Sequence, residues 1–437
     1  MSLLLKIPVI ISLIFFVCYS YQIIYIPISI LKKSKPVQNV TPHRFAVLIS
    51  ARNESVVIGD LLDSIRAQTY PQDLIHTFVV ADNCTDNTAE IARAHGATVY
   101  TRFNDKLVGK GYALHELLGH IRKECPETFD GYFVFDADNI LRPDYIERMN
   151  ETFSSGYEIT TSYRNSKNYG ANWISAGYAL WFLRESQYLN GARMKIGSSC
   201  AVSGTGFLFS NKVMEENDGW PFYLLVEDIQ FSICSILKGY KIGYCEKAEL
   251  FDEQPVTFAQ SWRQRSRWAK GYFQVMRHYG LKLIGKAAKG SFSALDMSLN
   301  IMPAFILSAA MIVIELAKFF VCLIAGLGLG EFWVSLGNLL IGVFGLLFII
   351  GLITTITEWD KIHTTTPKKI LALFTFPLFM FTYLPITFHA MFARPTWKPI
   401  VHTYTAADMF AESPEIREEN KTGETEEHKA SVGASDL

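Results

Sequence analysis

Two carboxylates one residue apart, Asp136 and Asp138, close the apolar run Phe133-Val-Phe-Asp-Ala-Asp-Asn139. Oxygen ligands at that spacing suit a hard divalent cation, which can in turn hold phosphate oxygens; the same tripeptide also serves as ordinary turn residues. Asp82 opens Asp82-Asn-Cys-Thr-Asp-Asn-Thr88. A carboxylate there can accept hydrogen bonds from a base or ribose, or cap a helix, a role that Asp86 also suits. Glu227 and Asp228 stand side by side among apolar neighbours in Leu225-Val-Glu-Asp-Ile-Gln-Phe231. One such acid can be a general base while the other fixes orientation, although acids in a first helical turn are also favoured by the dipole alone. Finally, Gln260-Ser-Trp-Arg-Gln-Arg-Ser-Arg-Trp268 packs three arginines and two tryptophans into nine residues. On a helix, Gln264, Arg267 and Trp268 share a face and offer an amide, a guanidinium suited to phosphate and an aromatic plate. A basic amphipathic helix lying on anionic lipid has the same composition.

Lesser signals accompany these clusters. The loop Ser50-Ala-Arg-Asn-Glu54, with Ala51, Arg52 and Glu54, precedes a helix and can present backbone N–H groups and Arg52 to an anion. Lys110 can reach phosphate as a point charge or be merely solvated. Ser203-Gly-Thr-Gly-Phe207 permits close backbone approach. Neither GxGxxG nor GxxxxGK[ST] occurs, so the dinucleotide fingerprint and the P-loop are both missing.

The elements that must position these residues read as α/β. Phe45 to Ser50, His76 to Ala81, Ala97 to Tyr100 and Gly131 to Phe135 are predicted strands. Helices are predicted over Asn53 to Gln68, Ala89 to His95 and Gly111 to Arg122. Strand alternating with helix implies a mostly parallel sheet covered on both faces, and ligands of such sheets gather at the carboxyl ends of the strands. Asp82 and the Asp136–Asp138 pair both fall at that edge.

The 437 residues carry a net charge of -1, which argues against a nucleic-acid partner, and 49% hydrophobic residues, concentrated in blocks. Seven cysteines show no paired spacing, so neither a disulfide framework nor a zinc site is expected. Four blocks are long enough to cross a bilayer: Ile7 to Leu31, Ile301 to Leu327, Val334 to Thr357 and Ile370 to Phe392. The first exceeds a signal-peptide core and lacks a cleavage site; Lys32, Lys33 and Lys35 after it place the next domain in the cytoplasm. Glu315 and Lys318 fall on one face of the second block, as a pore or helix-interface feature or as a satisfied packing pair. Four crossings leave the C-terminus outside, against the charges of Arg394 and Lys398. Pro377 and Pro385 make the last block the candidate for a re-entrant or interfacial segment. The predicted organisation is a membrane anchor over 1–35, a cytoplasmic α/β domain with interfacial helices over 41–290, a transmembrane region over 298–395, and an interfacial segment with a disordered acidic tail over 396–437. Trp397 and His402 are expected as an interfacial anchor rather than a gating contact; Arg164, Asn165, Arg184 and Arg193 are candidates for an acceptor or anionic-sugar pocket.

Asp82 in its turn, Asp136-Ala-Asp138, Glu227-Asp228 and Gln264-Arg-Ser-Arg-Trp268, in this order, resemble the membrane-embedded family-2 glycosyltransferases with a GT-A fold, the cellulose, hyaluronan, chitin and poly-N-acetylglucosamine synthases. The resemblance covers Arg44 to Val275. It implies that Asp82 contacts the uracil end of a UDP-sugar, and that Asp136 and Asp138 hold its diphosphate through Mg²⁺ or Mn²⁺, with Asp138 the main metal ligand. Asp228 would be the base that deprotonates the acceptor hydroxyl, with Glu227 its neighbour. Gln264 and Arg267 would neutralise the leaving diphosphate, and Trp268 would stack on the acceptor sugar. The family's Thr-Glu-Asp is Val226-Glu-Asp here, and one anchor precedes the domain where several relatives have two. The resulting expectation is an inverting, processive polysaccharide synthase of the plasma membrane that polymerises at the cytoplasmic face and exports through its own helices, with membrane lipids around it. Transfer of one sugar to a lipid-linked acceptor is the alternative, and a non-catalytic scaffold or transporter a more distant one.

Overall fold

The computed structural model describes residues 2–32, 37, 39–326, 329–393 and 400–411. β1 (Phe45–Ala51), β2 (Ile75–Asp82), β3 (Thr98–Arg102) and β4 (Gly131–Asp136) pair in parallel, with α3 (Ile58–Arg66), α4 (Thr88–Ala94) and α5 (Lys110–Glu124) as crossovers. α3 begins later than the periodicity suggests. Asn53 adopts the left-handed conformation, φ 57°, which Asn tolerates. Its Oδ1 accepts from Thr85 N–H at 2.8 Å, so the first turn serves to tie the loop after β1 to the loop after β2.

The second half of the sheet is mixed. After β5 (Ile140–Leu141) and α6 (Tyr145–Ser154) come β6 (Ile159–Ser166), α7 (Trp173–Arg184), a π-helical turn over Glu185–Asn190, and α8 (Gly191–Ile196). β7 (Phe207–Ser210), α9 (Asn211–Glu216), α10 (Glu227–Lys238) and β8 (Ile242–Asp252) follow. The eight strands run in the order β3-β2-β1-β4-β7-β6-β8-β5. β7 is antiparallel to both β4 and β6, while β6 and β8 are parallel. Alternation along β1 sends Ala46 and Leu48 into the core under α5, and Val47 and Ile49 into the core under α3 and α6. Both faces are thus buried, as a parallel sheet requires.

Around this domain lie α1 (Ser2–Tyr19), α2 (Tyr21–Leu31), α11 (Phe258–Ala288), α12 (Phe292–Ile301), α13 (Pro303–Ile324), α14 (Gly330–Thr357), α15 (Thr366–Phe381), α16 (Tyr383–Phe392) and the short α17 (Ala406–Ala411). Ile7–Leu31, Phe292–Ile324, Phe332–Thr357 and Thr366–Phe392 are long and apolar enough to cross a membrane. α2 does not share α1's surroundings. Tyr21 donates to Asp296 at 2.7 Å and Ser29 to the carbonyl of Gln187, so this half of the first block lies against α12 and the π turn. Lys318 Nζ on α13 donates to both Glu315 oxygens at 3.0 Å and to Ser335 Oγ on α14 at 3.2 Å; the pair is a helix-interface fastening.

The last block breaks at Thr382. α15 packs on α7 and α14, and α16 on α11. Both its ends are fastened to the α/β domain. Before it, Tyr163 donates to Glu358 at 2.5 Å and Asn165 to the carbonyl of Lys361 at 2.8 Å. After it, His402 bonds Glu54 at 2.9 Å. Arg394, Trp397, Lys398, Lys33, Lys35 and the acidic tail lie outside the described residues.

Candidate active site

The parallel strands end at a common edge, and the acids there are bound differently. Asp136, the last residue of β4, has its N–H held by Thr205 Oγ1 at 2.9 Å and Asn139 Oδ1 at 3.1 Å. Lys110, first in α5, donates to Asp136 Oδ1 at 2.5 Å and to the carbonyl of Gly204 at 2.9 Å. Gly204 and Gly206 have φ of 82° and 64°, in the region that favours glycine. A Cβ on Gly206 would stand 1.9 Å from Leu250, and one on Gly204 would meet Asp228 Oδ2 at 3.6 Å. The Ser203–Phe207 stretch therefore brings its backbone between the two pairs of acids, as its small residues suggest.

Asp138 is buried and turned toward the end of β8, where its Oδ2 accepts from Glu253 N–H at 2.7 Å. Burial opposes its charge, but His402, Lys167 and Arg164 outweigh that and hold its carboxyl below the usual range. Asp252, the last residue of β8, is gripped by Arg164 through Nε at 2.7 Å and through Nη2. Burial, reinforced by the nearby charges of Asp138 and Asp136, pushes Asp252 up to about 6 despite Arg164. Asp252 was missed in the sequence, although Leu250-Phe-Asp252 repeats the pattern of an apolar run ending in an acid.

Three carboxylates thus neighbour one another at the ends of β4 and β8. Among the described residues no three His, Cys, Asp or Glu side chains form a ready-made metal cage. Carboxylate oxygens are the donors that a cation of the Mg²⁺ type takes, commonly one or two of them together with substrate phosphates and water. Asp138 and Asp136 are the residues that would hold it; such an ion supplies charge for a departing diphosphate.

Asp82 ends β2 as half of a buried ion pair, Arg102 Nη1 lying 2.6 Å from its Oδ1. Arg102 is its register partner on β3 and also reaches Glu116 at 2.7 Å. Burial raises the Asp82 carboxyl above its ordinary value; Arg102 and the nearby Arg52 oppose that rise. Asp86, one residue before the N-cap Asn87 of α4, accepts from Thr88 N–H at 3.1 Å and Ser55 N–H at 3.2 Å. Ala51 is buried at the end of β1.

His402 requires a correction: it is part of this site and not an interfacial anchor. Its ring bonds Glu54 at 2.9 Å, and the N–H groups of Thr403 and Tyr404 donate to Glu253 at 2.9–3.0 Å. Lys167 donates to the carbonyl of Tyr404 at 2.7 Å, and Ala406 N–H to Asp60 at 2.6 Å. Burial alone would depress the imidazole, but Asp138 and Glu54 push it up to about 10. Three hundred and forty-eight positions separate His402 from Glu54, so no local signal could announce the contact.

Glu227 and Asp228 are the first two residues of α10, where the helix dipole favours acids. Burial and then the Asp228 charge push Glu227 up to about 7, against Lys110 and Arg267. Burial likewise raises Asp228. Val226, where the family has Thr, packs its methyl groups onto α11 at Gly271, where a Cβ would come within 2.7 Å of them. On α11, Arg267 donates to the carbonyl of Leu225 at 2.7 Å, just ahead of the acids. Gln264 Oε1 is buried without a hydrogen-bond partner, a cost normally offset by some ligand or water. Trp268 stands edge-on to Tyr178 and Phe182, at 5.7 and 6.2 Å.

Between Gln264 and Arg267, Arg265 is fully buried. It donates to Thr382 Oγ1 at 2.7 Å and to the carbonyl of Phe379 at 3.1 Å, and its guanidinium lies 4.3 and 4.9 Å from the rings of Phe379 and Tyr383. It locks the break in the last apolar block onto α11. Arg164 belongs to the site through Asp252. Arg184 and Arg193 do not form a pocket as expected: Arg184 donates to Gln22 at 2.7 Å, and Arg193 grips Asp296 at 2.6 and 3.2 Å. Asn165 donates to Glu249 at 2.8 Å.

A mostly parallel sheet with acids at its carboxyl edge, facing a second acid pair across a glycine loop, defines a GT-A-type nucleotide-sugar transferase domain. The sequence model described as "Glycosyltransferase like family 2" matches residues 42–271, and the chain belongs to that family. Among curated relatives, a probable glycosyltransferase, YdaM of Bacillus subtilis, is 28% identical over 52% of this chain and 55% of its own. The beta-monoglucosyldiacylglycerol synthase of Synechocystis is 25% identical over 53% of this chain and 48% of its own. The poly-beta-1,6-N-acetyl-D-glucosamine synthase of Staphylococcus epidermidis is 28% identical over 52% and 54%. The chain thus spans about half the length of these relatives. Of solved structures, the mannosyltransferase PcManGT of Pyrobaculum calidifontis, in complex with GDP-Man and Mn²⁺, superposes with a TM-score of 0.57 at 15% identity. The match covers 89% of this chain and 99% of that one, a likeness of fold.

Proposed function

We propose that this family-2 glycosyltransferase moves a sugar from a nucleoside-diphosphate sugar to a hydroxyl of a lipid-linked acceptor at the membrane surface, one sugar per acceptor. The observation that carries the reaction is the meeting of Lys110, Asp136 and Asp228 around Gly204. In this reading Asp82 and Arg52 face the base and ribose of a UDP-sugar. Asp136 and Asp138 would hold Mg²⁺ or Mn²⁺, which would supply positive charge for the diphosphate; Arg267, Gln264 and His402 add charge and donors for the leaving group. Asp228 removes the acceptor proton with Glu227 beside it, and Trp268 supports the acceptor. Attack and departure occur in one displacement, which inverts the anomeric carbon.

A single addition is preferred to polymer export because the space behind Trp268 is filled. Tyr178, Phe182 and Phe379 pack around it, and a Cβ on Gly177 would come within 2.4 Å of Phe379. Arg265 pins the same cluster to Thr382. The processive reading keeps the support of the polysaccharide-synthase relative. Purified protein in nanodiscs, given labelled UDP- and GDP-sugars with Mn²⁺ or Mg²⁺, should yield a monoglycosylated lipid. A ladder of glycan would overturn the single-addition reading, and failure with every donor would overturn the transfer reading.

A further inference from the structure

One acid near the site takes no part in holding the protein together. Glu185 opens the π-helical turn that follows α7, and such turns concentrate at functional sites. Its carboxylate is half-buried, and among the described residues neither a hydrogen bond nor an ion pair reaches it. The three arginines whose charges act on it are engaged elsewhere: Arg164 with Asp252, Arg193 with Asp296 and Arg184 with Gln22. Burial raises the Glu185 carboxyl above its ordinary value, and those arginines oppose the rise. An acid so enclosed is costly unless some group donates to it.

Its position ties it to the acceptor side of the candidate active site. Tyr178, Phe182 and Glu185 fall at i, i+4 and i+7, on one stripe of α7 and the turn that continues it. The first two stand edge-on to Trp268 at 5.7 and 6.2 Å, so Glu185 comes one turn past that contact. On α11, Tyr272 likewise stands one turn past Trp268 on the same face. Burial, then the charges of Glu185 and Asp228, hold the Tyr272 hydroxyl well above its ordinary value; both acids therefore act on one point close to Trp268. Arg164 joins the supports of the same two acids. Its N–H donates to Ser186 Oγ at 3.1 Å, next to Glu185, and its Nη1 to the carbonyl of Ser203 at 2.7 Å, next to the Gly204 that faces Asp228.

We propose that Glu185 binds the acceptor, accepting a hydrogen bond from a hydroxyl other than the one that Asp228 deprotonates. This rests on the lipid-acceptor reading and gives that lipid its head group: an uncharged one with more than a single hydroxyl. An ionised carboxylate only accepts hydrogen bonds, so its partner has to donate, which a phosphate diester cannot do. The arginines around Glu185 weigh against a cationic head group, and the acids themselves against an anionic one. A hydroxyl is the donor that is left. Two fixed acceptors, Asp228 and Glu185, then set the orientation of the head group, so the loss of Glu185 falls on acceptor KM and not on the chemistry at the donor.

The test uses the full chain in phosphatidylcholine nanodiscs, given labelled UDP- and GDP-sugars with Mn²⁺. The acceptors are glucosyl-dioleoylglycerol, rich in hydroxyls, and dioleoylglycerol, which has a single one. The unaltered protein should prefer the first. Glu185→Ala should raise its KM about tenfold or more, as for a lost hydrogen bond to a charged group, and leave the donor KM and acceptor-free donor hydrolysis within about twofold. Because the acid has no protein partner, its removal should leave the thermal midpoint unchanged or raised. An unchanged preference between the two acceptors would overturn the proposal. So would a midpoint that falls together with donor hydrolysis, which marks a structural role. Glu185→Gln keeps an accepting oxygen and should recover part of the affinity; no recovery counts against the proposal. If the unaltered protein makes polymer and glycosylates neither lipid, the lipid-acceptor reading has failed on its own, and the effect of Glu185→Ala on elongation against donor hydrolysis decides the proposal.

Discussion

Replacing Glu227 with glutamine separates the roles of the two adjacent acids. Both stand in the first turn of α10 and share Lys110 and Arg267 as nearby cations. Burial and the Asp228 charge set Glu227 at about 7, and burial raises Asp228. The Asp228 charge opposes the ionisation of Glu227, so Asp228 loses its proton first and Glu227 second. Glu227 is therefore neutral while Asp228 titrates, and an amide in its place changes little of what the Asp228 carboxyl meets. A base works only when ionised, so transfer falls as pH drops through its pKa. In Glu227→Gln the acid limb of kcat/KM, which reports Asp228, should therefore stay in place, and the plateau should stay within about tenfold. Asp228→Asn should instead lose about 10²–10⁴-fold at every pH. Nucleotide release and product mass, followed from about pH 5 to 9, distinguish these outcomes. Retained transfer in Asp228→Asn, or an acid limb that disappears in Glu227→Gln, would refute the assignment.

His402→Gln should raise the donor KM by about tenfold or more, by removing a cation beside Asp138, and should also lower the unfolding midpoint, because Glu54 is left without its charged partner; calorimetric titration of nucleotide binding and thermal unfolding check this. Asp138→Asn should abolish the dependence of transfer on added Mn²⁺ along with most of the rate, and unchanged metal activation would count against the site. Asp296→Asn leaves Arg193 buried without its charged partner and should cost about 3–5 kcal/mol, read as a fall in thermal midpoint in detergent. Since both ends of the last apolar block are fastened to the α/β domain, cysteines placed before Thr366 and after Thr403 should be labelled from the same side of the membrane. Labelling from opposite sides would mean that the block crosses.

Much of the placement of these side chains was legible locally. Acids that terminate apolar runs identify strand ends at a ligand edge, which is how Asp82 and the Asp136–Asp138 pair stand out, and the spacing of Gln264, Arg267 and Trp268 identifies a helix face. These are consequences of period-2 and period-3.6 backbones, and they need no knowledge of tertiary contacts. The parallel half of the sheet and the apolar blocks follow from the same regularities. The buried state of Arg265 could not be read this way, because one more arginine in a basic helix looks solvated until α15 and α16 cover it.

The amino-acid sequence by itself determined the fold class, the family and the order of the acids along the chain. Only the tertiary structure decided which charges meet. Asp82 is bound to Arg102, Asp252 joins Asp138, and His402 returns from beyond the last apolar block to Glu54. The physical reason is the same in each case: a buried charge needs a partner, and at long sequence separation the partner is chosen by the packing of the sheet and helices, not by residue type or spacing.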